Sequence, residues 1–138
     1  LLAGTYNCHP VPVTAAIACL HKLMDSDSDV YGHLERLGDR LQTGQEKLFQ
    51  GHGIEAVISR QGSASCVYFA ERVPRNWWEL LHSHDFVFDT EYRKRLIQNG
   101  IYHFPVATKQ GSLCFAHTEA DVDETLEATD KTLKELKK

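Results

Sequence analysis

Apolar residues recur at helical spacing from Val13 to Met24, where Val13, Ala16, Ile17, Leu20, Leu23 and Met24 share one stripe behind Pro10 and Pro12. The spacing predicts a first helix. Asp25-Ser26-Asp27-Ser28-Asp29 breaks the stripe with side chains that compete for backbone hydrogen bonds, and Asp29 is placed to cap a second helix. Val30, Leu34, Leu37, Leu41 and Leu48 then step by threes and fours, giving a long amphipathic helix that ends before Gly51-His52-Gly53. Gly44 interrupts that stripe, where another backbone is expected to pack close.

The period then shortens. Ile54 to Ser59 and Ala64 to Ala70 are β-branched or aromatic runs separated by Arg60-Gln61-Gly62-Ser63, the pattern of two strands joined by a turn. Pro74 to Asp89 carries no single period: Trp77-Trp78 and Leu80-Leu81 suit a short helix, Phe86-Val87-Phe88 a strand or a buried loop, and the stretch is read as irregular. Thr90 to Gln98 predicts a charged helix stopped by Asn99-Gly100. Strands are expected at Ile101 to Phe104 and Ser112 to Ala116, around the Pro105 to Gly111 loop. Thr118-Glu119-Ala120-Asp121 is a capping box, and Val122, Leu126, Thr129, Leu133 and Leu136 continue on one face of a last helix. The element order predicts one α+β domain, a small antiparallel sheet of about four strands packed with helices.

Composition excludes several classes. A hydrophobic fraction of 42% and a charged fraction of 25% are those of a globular domain, and no apolar run is long enough to cross a bilayer. No secretory signal pattern opens the chain, so a cytoplasmic setting is expected. The net charge of −4, with dispersed lysines and arginines, argues against a nucleic-acid partner. Four cysteines lie without paired spacing among small or apolar neighbours, which suits neither a disulfide framework nor a zinc ribbon.

Candidate chemistry is sparse. Gly4-Thr5 lies ahead of the first helix, where free amides, the helix dipole and a hydroxyl would favour an anion. His82-Ser83-His84-Asp85, with Asp89 beyond it, offers imidazoles and carboxylates, but no second cluster completes a metal site and a solvated loop is the better reading. Cys66 and Cys114 could pair with His103 or His117 as nucleophile and base, but both cysteines fall in apolar strand patterns that stabilise a thiolate poorly. His117 precedes the helix cap, and Lys109-Gln110-Gly111 could present a cation to a ligand.

Four stretches together resemble the carboxy-terminal part of the class III, pyridoxal-phosphate-dependent aminotransferases, nearest their glutamate-1-semialdehyde aminomutase-like branch. They are Gly4-Thr5-Tyr6-Asn7 with His9-Pro10 and the alanine-rich helix; Tyr31 to Gly44, similar to "LxxLGxRLxxG"; Asn99-Gly100-Ile101-Tyr102 with Pro105; and Ala116-His117-Thr118-Glu119 to Asp123, matching an "AHTxxDxDxTL" ending. The resemblance implies the small domain of a fold-type I enzyme, with residues 1–12 as a lead-in carrying the phosphate contact and 13–138 as the domain proper. It also implies that the large domain, its Schiff-base lysine and the other catalytic groups lie outside this chain, which alone should be inactive. In the intact enzyme it implies a homodimer, Thr5 reaching the phosphate of the partner subunit's cofactor with Gly4 permitting the turn, and transfer of an amino group between an amino acid and a keto or aldehyde acceptor. Cys8 stands where the family commonly has glycine. Lys109-Gln110-Gly111 replaces an acidic "FEAGF"-like loop, which leaves the substrate open and counts against aminomutase activity itself. A free-standing, non-catalytic binding module with this fold is the rival reading.

Overall fold

The computed structural model describes residue 4 and residues 8–137. Helix α1 spans Pro10–Met24; a 3-10 turn at Ser26–Ser28 leads to helix α2, Val30–Gly51. Strands β1, Val57–Gln61, and β2, Ala64–Tyr68, come next, then helices α3, Trp77–Ser83, and α4, Phe86–Gln98. A two-residue strand β3, Gly111–Ser112, precedes helix α5, Glu119–Leu136. Among the described residues the sheet has three antiparallel strands in the order β1-β2-β3. Gln61 pairs with Ala64, so a two-residue turn joins β1 to β2, with Gly62 at φ 56° supplying the backbone such a turn requires.

The core lies where α2, α4 and α5 meet β1 and β2. Phe49, Ile58, Val67, Phe69, Tyr92, Leu96, Ala128 and Leu133 form it. Phe69 is its hub, edge-on to Phe88, Tyr92 and Phe49 with ring centroids 4.7, 5.3 and 5.7 Å away. Helices α2 and α5 are also joined outside the apolar seam, because Arg40 grips Asp123 through two 2.8 Å hydrogen bonds and His52 Nε2 meets Asp130 at 2.7 Å.

Three expectations are corrected. Ile101 to Phe104 is not a strand: Gly100, at φ 93°, closes α4 as the Ile101 amide bonds back to the Leu96 carbonyl, and the Phe104 carbonyl is then taken by the Arg93 side chain rather than by a neighbouring strand. Of the run from Ser112 to Ala116 only Ser112 lies in a strand, because Cys114 turns to hydrogen-bond with His117. The sheet therefore has three strands, not four. The stretch from Pro74 to Asp89 is largely helical. Asn76 caps α3 by accepting the Glu79 amide at 2.9 Å, and Asp85 caps α4 by accepting the Phe88 amide at 2.9 Å, so α4 begins four residues before Thr90. Its buried face then runs Phe88, Tyr92, Leu96, one turn apart.

Candidate functional site

Three places carry the sequence-predicted chemistry. The first is the approach to α1. Thr5 lies outside the described residues, and Gly4 is exposed. The α1 N-terminus does not itself offer the free amides expected of an anion site. Pro10 and Pro12 have no N–H, the Val11 amide donates to His9 Nδ1 at 3.3 Å, and the Val13 amide donates to the His9 carbonyl at 3.1 Å. An anion held here would depend on the segment ahead of Cys8, which itself takes the left-handed conformation at φ 65°. The chain's described residues do not make a phosphate cradle on their own.

The second is a buried ionic cluster whose members the sequence pattern divides between a solvated loop and a charged helix. His84 is not solvated: its side chain is fully buried, its Nδ1 accepts the Phe69 amide at 3.1 Å, and its Nε2 meets Asp89 Oδ2 at 3.0 Å. Asp89 Oδ1 accepts Arg93 Nε at 2.5 Å. Arg93 Nη1 donates to His103 Nδ1 at 2.8 Å and to the carbonyls of Phe104 at 3.2 Å and Lys109 at 2.9 Å. Burial, and then the Arg93 charge, push the His103 imidazole down to about 4. Two features could have revealed this cluster from sequence: Asp85 as a helix cap, and the four-residue step from Asp89 to Arg93 on the helix it starts. His82 takes no part, its Nδ1 lying 2.8 Å from the Trp78 carbonyl and its ring stacking on Trp78. Asp85 spends its carboxylate on the α4 cap. Among the described residues no three histidines, cysteines or carboxylates converge as metal ligands.

The third is the turn before α5. Cys66 is half-buried in β2, its thiol directed at the Thr108 carbonyl 3.2 Å away, and burial pushes that thiol's pKa up. Cys114, by contrast, is exposed in a turn, with Sγ 3.1 Å from His117 Nδ1, which also accepts the Cys114 amide at 2.9 Å. Of the two cysteines and two histidines weighed as nucleophile and base, the structure thus brings Cys114 and His117 together. The His117 carbonyl meets His33 Nε2 at 2.9 Å, tying this turn to α2. Lys109 is exposed, its ammonium 5.5 Å from the centre of the Phe104 ring.

No family model matches the chain. The glutamate-1-semialdehyde 2,1-aminomutase of Akkermansia muciniphila is 31% identical over 134 residues, covering 97% of this chain and 31% of that protein. A counterpart in Thermus thermophilus is 34% identical over 135 residues, covering 95% of this chain and 30% of that one. Over nearly its whole length the chain is similar to one part of these aminomutases. The chain spans about three-tenths of the length of the curated relatives it matches.

Solved structures agree on the fold. An omega-transaminase from Sphaerobacter thermophilus matches the aminotransferase-like chain over its full length at a TM-score of 0.80 and 21% identity, with 31% of that protein covered. The FumI protein of Sphingopyxis sp. MTA144, solved in a pyridoxal-phosphate form, matches 99% of the chain at a TM-score of 0.80 and 26% identity, with 29% of that protein covered. The fold is that of the small domain of these enzymes, and no helix among the described residues is long and apolar enough to cross a membrane.

Proposed function

We propose that this chain is the small, carboxy-terminal domain of a homodimeric pyridoxal-phosphate-dependent enzyme that moves an amino group between an amino acid and a keto or aldehyde acceptor. Residues 1–12 are the lead-in and 13–138 the domain, which closes over an active site held by a large domain of the same polypeptide. One observation carries this reading. Helix α1 is rich in apolar side chains yet has no buried residue: Val11, Val13, Ile17, Leu20, Leu23 and Met24 are between 37% and 80% exposed. Such a face is held in water only at a cost and normally marks an interface. A polypeptide about three times as long as this chain, as in its relatives, has the remaining mass to cover it.

The cofactor, when bound, supplies the electrophilic carbonyl and the electron sink for amine transfer. The part of this chain is narrower. Thr5 would donate its hydroxyl to the phosphate across the dimer and Gly4 would let the backbone turn there, while α1 docks the domain on the rest of the enzyme. The reaction stands as amine transfer with its substrate open, since Lys109 occupies the loop where the aminomutase branch carries an acid. The test is Thr5→Ala in the intact polypeptide. Pyridoxal phosphate should be lost faster on dialysis, with the dimer retained; unchanged retention would remove Thr5 from the site. The isolated 138-residue chain should self-associate through α1 in sedimentation, and a strictly monomeric chain would count against the docking role.

A further inference from the structure

The turn between β3 and α5 sets a thiol against a base. Cys114 is exposed, outside any strand, and its Sγ lies 3.1 Å from Nδ1 of His117. That Nδ1 also accepts the Cys114 amide at 2.9 Å, so in the neutral ring the proton sits on Nε2 and the Nδ1 lone pair is turned toward the thiol. Once Nδ1 takes the thiol proton, the new N–H still has acceptors, the sulfur at 3.1 Å and the Cys114 carbonyl at 3.3 Å. The pair is held from three sides. The His117 amide closes the turn on the Cys114 carbonyl at 3.0 Å, the Leu113 amide bonds to the Ser63 carbonyl at 3.0 Å, and His33 Nε2 meets the His117 carbonyl at 2.9 Å with its ring edge-on to Phe115. Bonds from the Thr118 hydroxyl and amide, and then the His117 charge, keep the Asp121 carboxyl below its ordinary range, so a negative neighbour stands beside the imidazolium. His117 and Asp121 also line a cavity of about 140 Å³ with Ser112 and Leu113, the residues leading into Cys114, which leaves room beside the pair for an incoming group.

The other cysteines lack this arrangement. Cys66 is half-buried with its thiol on the Thr108 carbonyl, and Cys8 and Cys19, though exposed, have no imidazole bonded to them among the described residues. We propose that Cys114 is a reactive thiol that exchanges with low-molecular-weight disulfides, with His117 as its base, which makes this turn a site of reversible S-thiolation. His117 Nδ1 takes the Cys114 proton, and the sulfur attacks one sulfur of a disulfide R–S–S–R. The new Sγ–S bond forms as the old S–S bond breaks, and the departing RS⁻ recovers the proton from the imidazolium. One protein thiol and one RSSR thus give one protein mixed disulfide and one RSH: Cys114 is oxidised, half of the small disulfide is reduced, and a second thiol reverses the step. The thiolate is the attacking form, and a base already within hydrogen-bond reach removes the search for a proton acceptor. An apolar strand around Cys114 would have opposed such a thiolate, but the turn does not bury it. The step uses none of the amine-transfer machinery.

The experiment is a timed reaction of the intact polypeptide with oxidised glutathione, quenched in acid and read at each cysteine by peptide mass mapping. A synthetic peptide of residues 108–121, with the same local sequence and no fold, gives the reference rate. Cys114 should react at least roughly tenfold faster in the polypeptide than in the peptide, and added thiol should reverse the modification. His117→Asn separates the base from its support. The asparagine carboxamide oxygen can accept the Cys114 amide as Nδ1 did but takes up no proton, so the turn is kept and the rate should fall to within about twofold of the peptide. If that variant fails to fold, the comparison of polypeptide with peptide decides alone. A Cys114 that reacts no faster in the polypeptide than in the peptide would overturn the site, whether the pair is idle or another part of the enzyme covers the turn. A fast rate that persists in folded His117→Asn would overturn the role of His117.

Discussion

Helix α2 carries glycines at 38, 44 and 51 that meet different surroundings, and substituting each by alanine tests how it is packed. Alanine should favour any helix interior by about 1 kcal/mol over glycine. At Gly38 that gain is outweighed. A Cβ there would sit 2.7 Å from the Gly62 carbonyl oxygen and 2.8 Å from Arg60 Nη1. The Gly62 carbonyl belongs to the tight β1–β2 turn and is pinned by a 2.6 Å bond from Arg60, whose other nitrogens reach Gln42, Glu35 and Asp39 on α2. Relief requires the hairpin to withdraw by several tenths of an ångström, an overpacking that costs roughly 1 to 3 kcal/mol, and it loosens the Arg60 bonds as well. Gly38→Ala should therefore destabilise the fold by about 2 kcal/mol. At Gly44 the clash is with the two methyl carbons of Leu126, the mobile tip of a half-buried side chain, and rotation of that tip should hold the net change to within about 1 kcal/mol. At Gly51 nothing lies within 4 Å, so alanine should be neutral or stabilising by up to about 1 kcal/mol. Urea unfolding monitored by circular dichroism gives the order, with an unchanged m-value confirming that the native state is what changed. A Gly38→Ala chain as stable as Gly51→Ala would refute the close approach of α2 to the hairpin.

Two further outcomes stem from burial. His103 is held down to about 4 when folded against about 6.5 when unfolded, so below pH 6.5 the unfolded chain takes up the proton first. Its contribution should be complete above about pH 6.5 and lost as the pH falls toward 4, up to about 3 kcal/mol, and His103→Gln should flatten that slope in pH-dependent unfolding. Leu133 is fully buried against the aromatic core, so Leu133→Ala should cost about 3 kcal/mol in urea unfolding, and a loss below about 1 kcal/mol would mean that α5 does not close the core as described.

Where a local signal and burial agreed, the sequence was readable. The α5 capping box is formed as read, with Thr118 Oγ1 accepting the Asp121 amide at 3.3 Å and the Asp121 carboxylate accepting the Thr118 amide at 2.6 Å. The hairpin was also legible because Gly62 allows its turn. Gly44 was read as a point of close approach, and it is one, although a leucine side chain rather than a backbone fills the space. The failures share a cause. In Ile101 to Phe104 the alternation is real, with Ile101 and His103 turned inward and Tyr102 and Phe104 outward, but an arginine one helix away supplies the bonds that a strand partner would have made. The same tertiary cluster turned His84 from a loop residue into a buried one. Periodicity cannot register a charge pair whose function is to satisfy another segment's backbone. The α1 stripe was read correctly as a helix, but none of its residues is buried among the described residues, the feature on which the proposed docking role rests.

The measurement closest to the central claim is made on the natural polypeptide containing this chain. Its visible absorbance would be recorded before and after borohydride reduction, with peptide mapping of any lysine that acquires the pyridoxyl group. The account predicts a cofactor band, and a modified lysine that maps outside residues 1–138. A polypeptide that binds no pyridoxal phosphate, or a pyridoxyl group fixed to a lysine within residues 1–138, would contradict it.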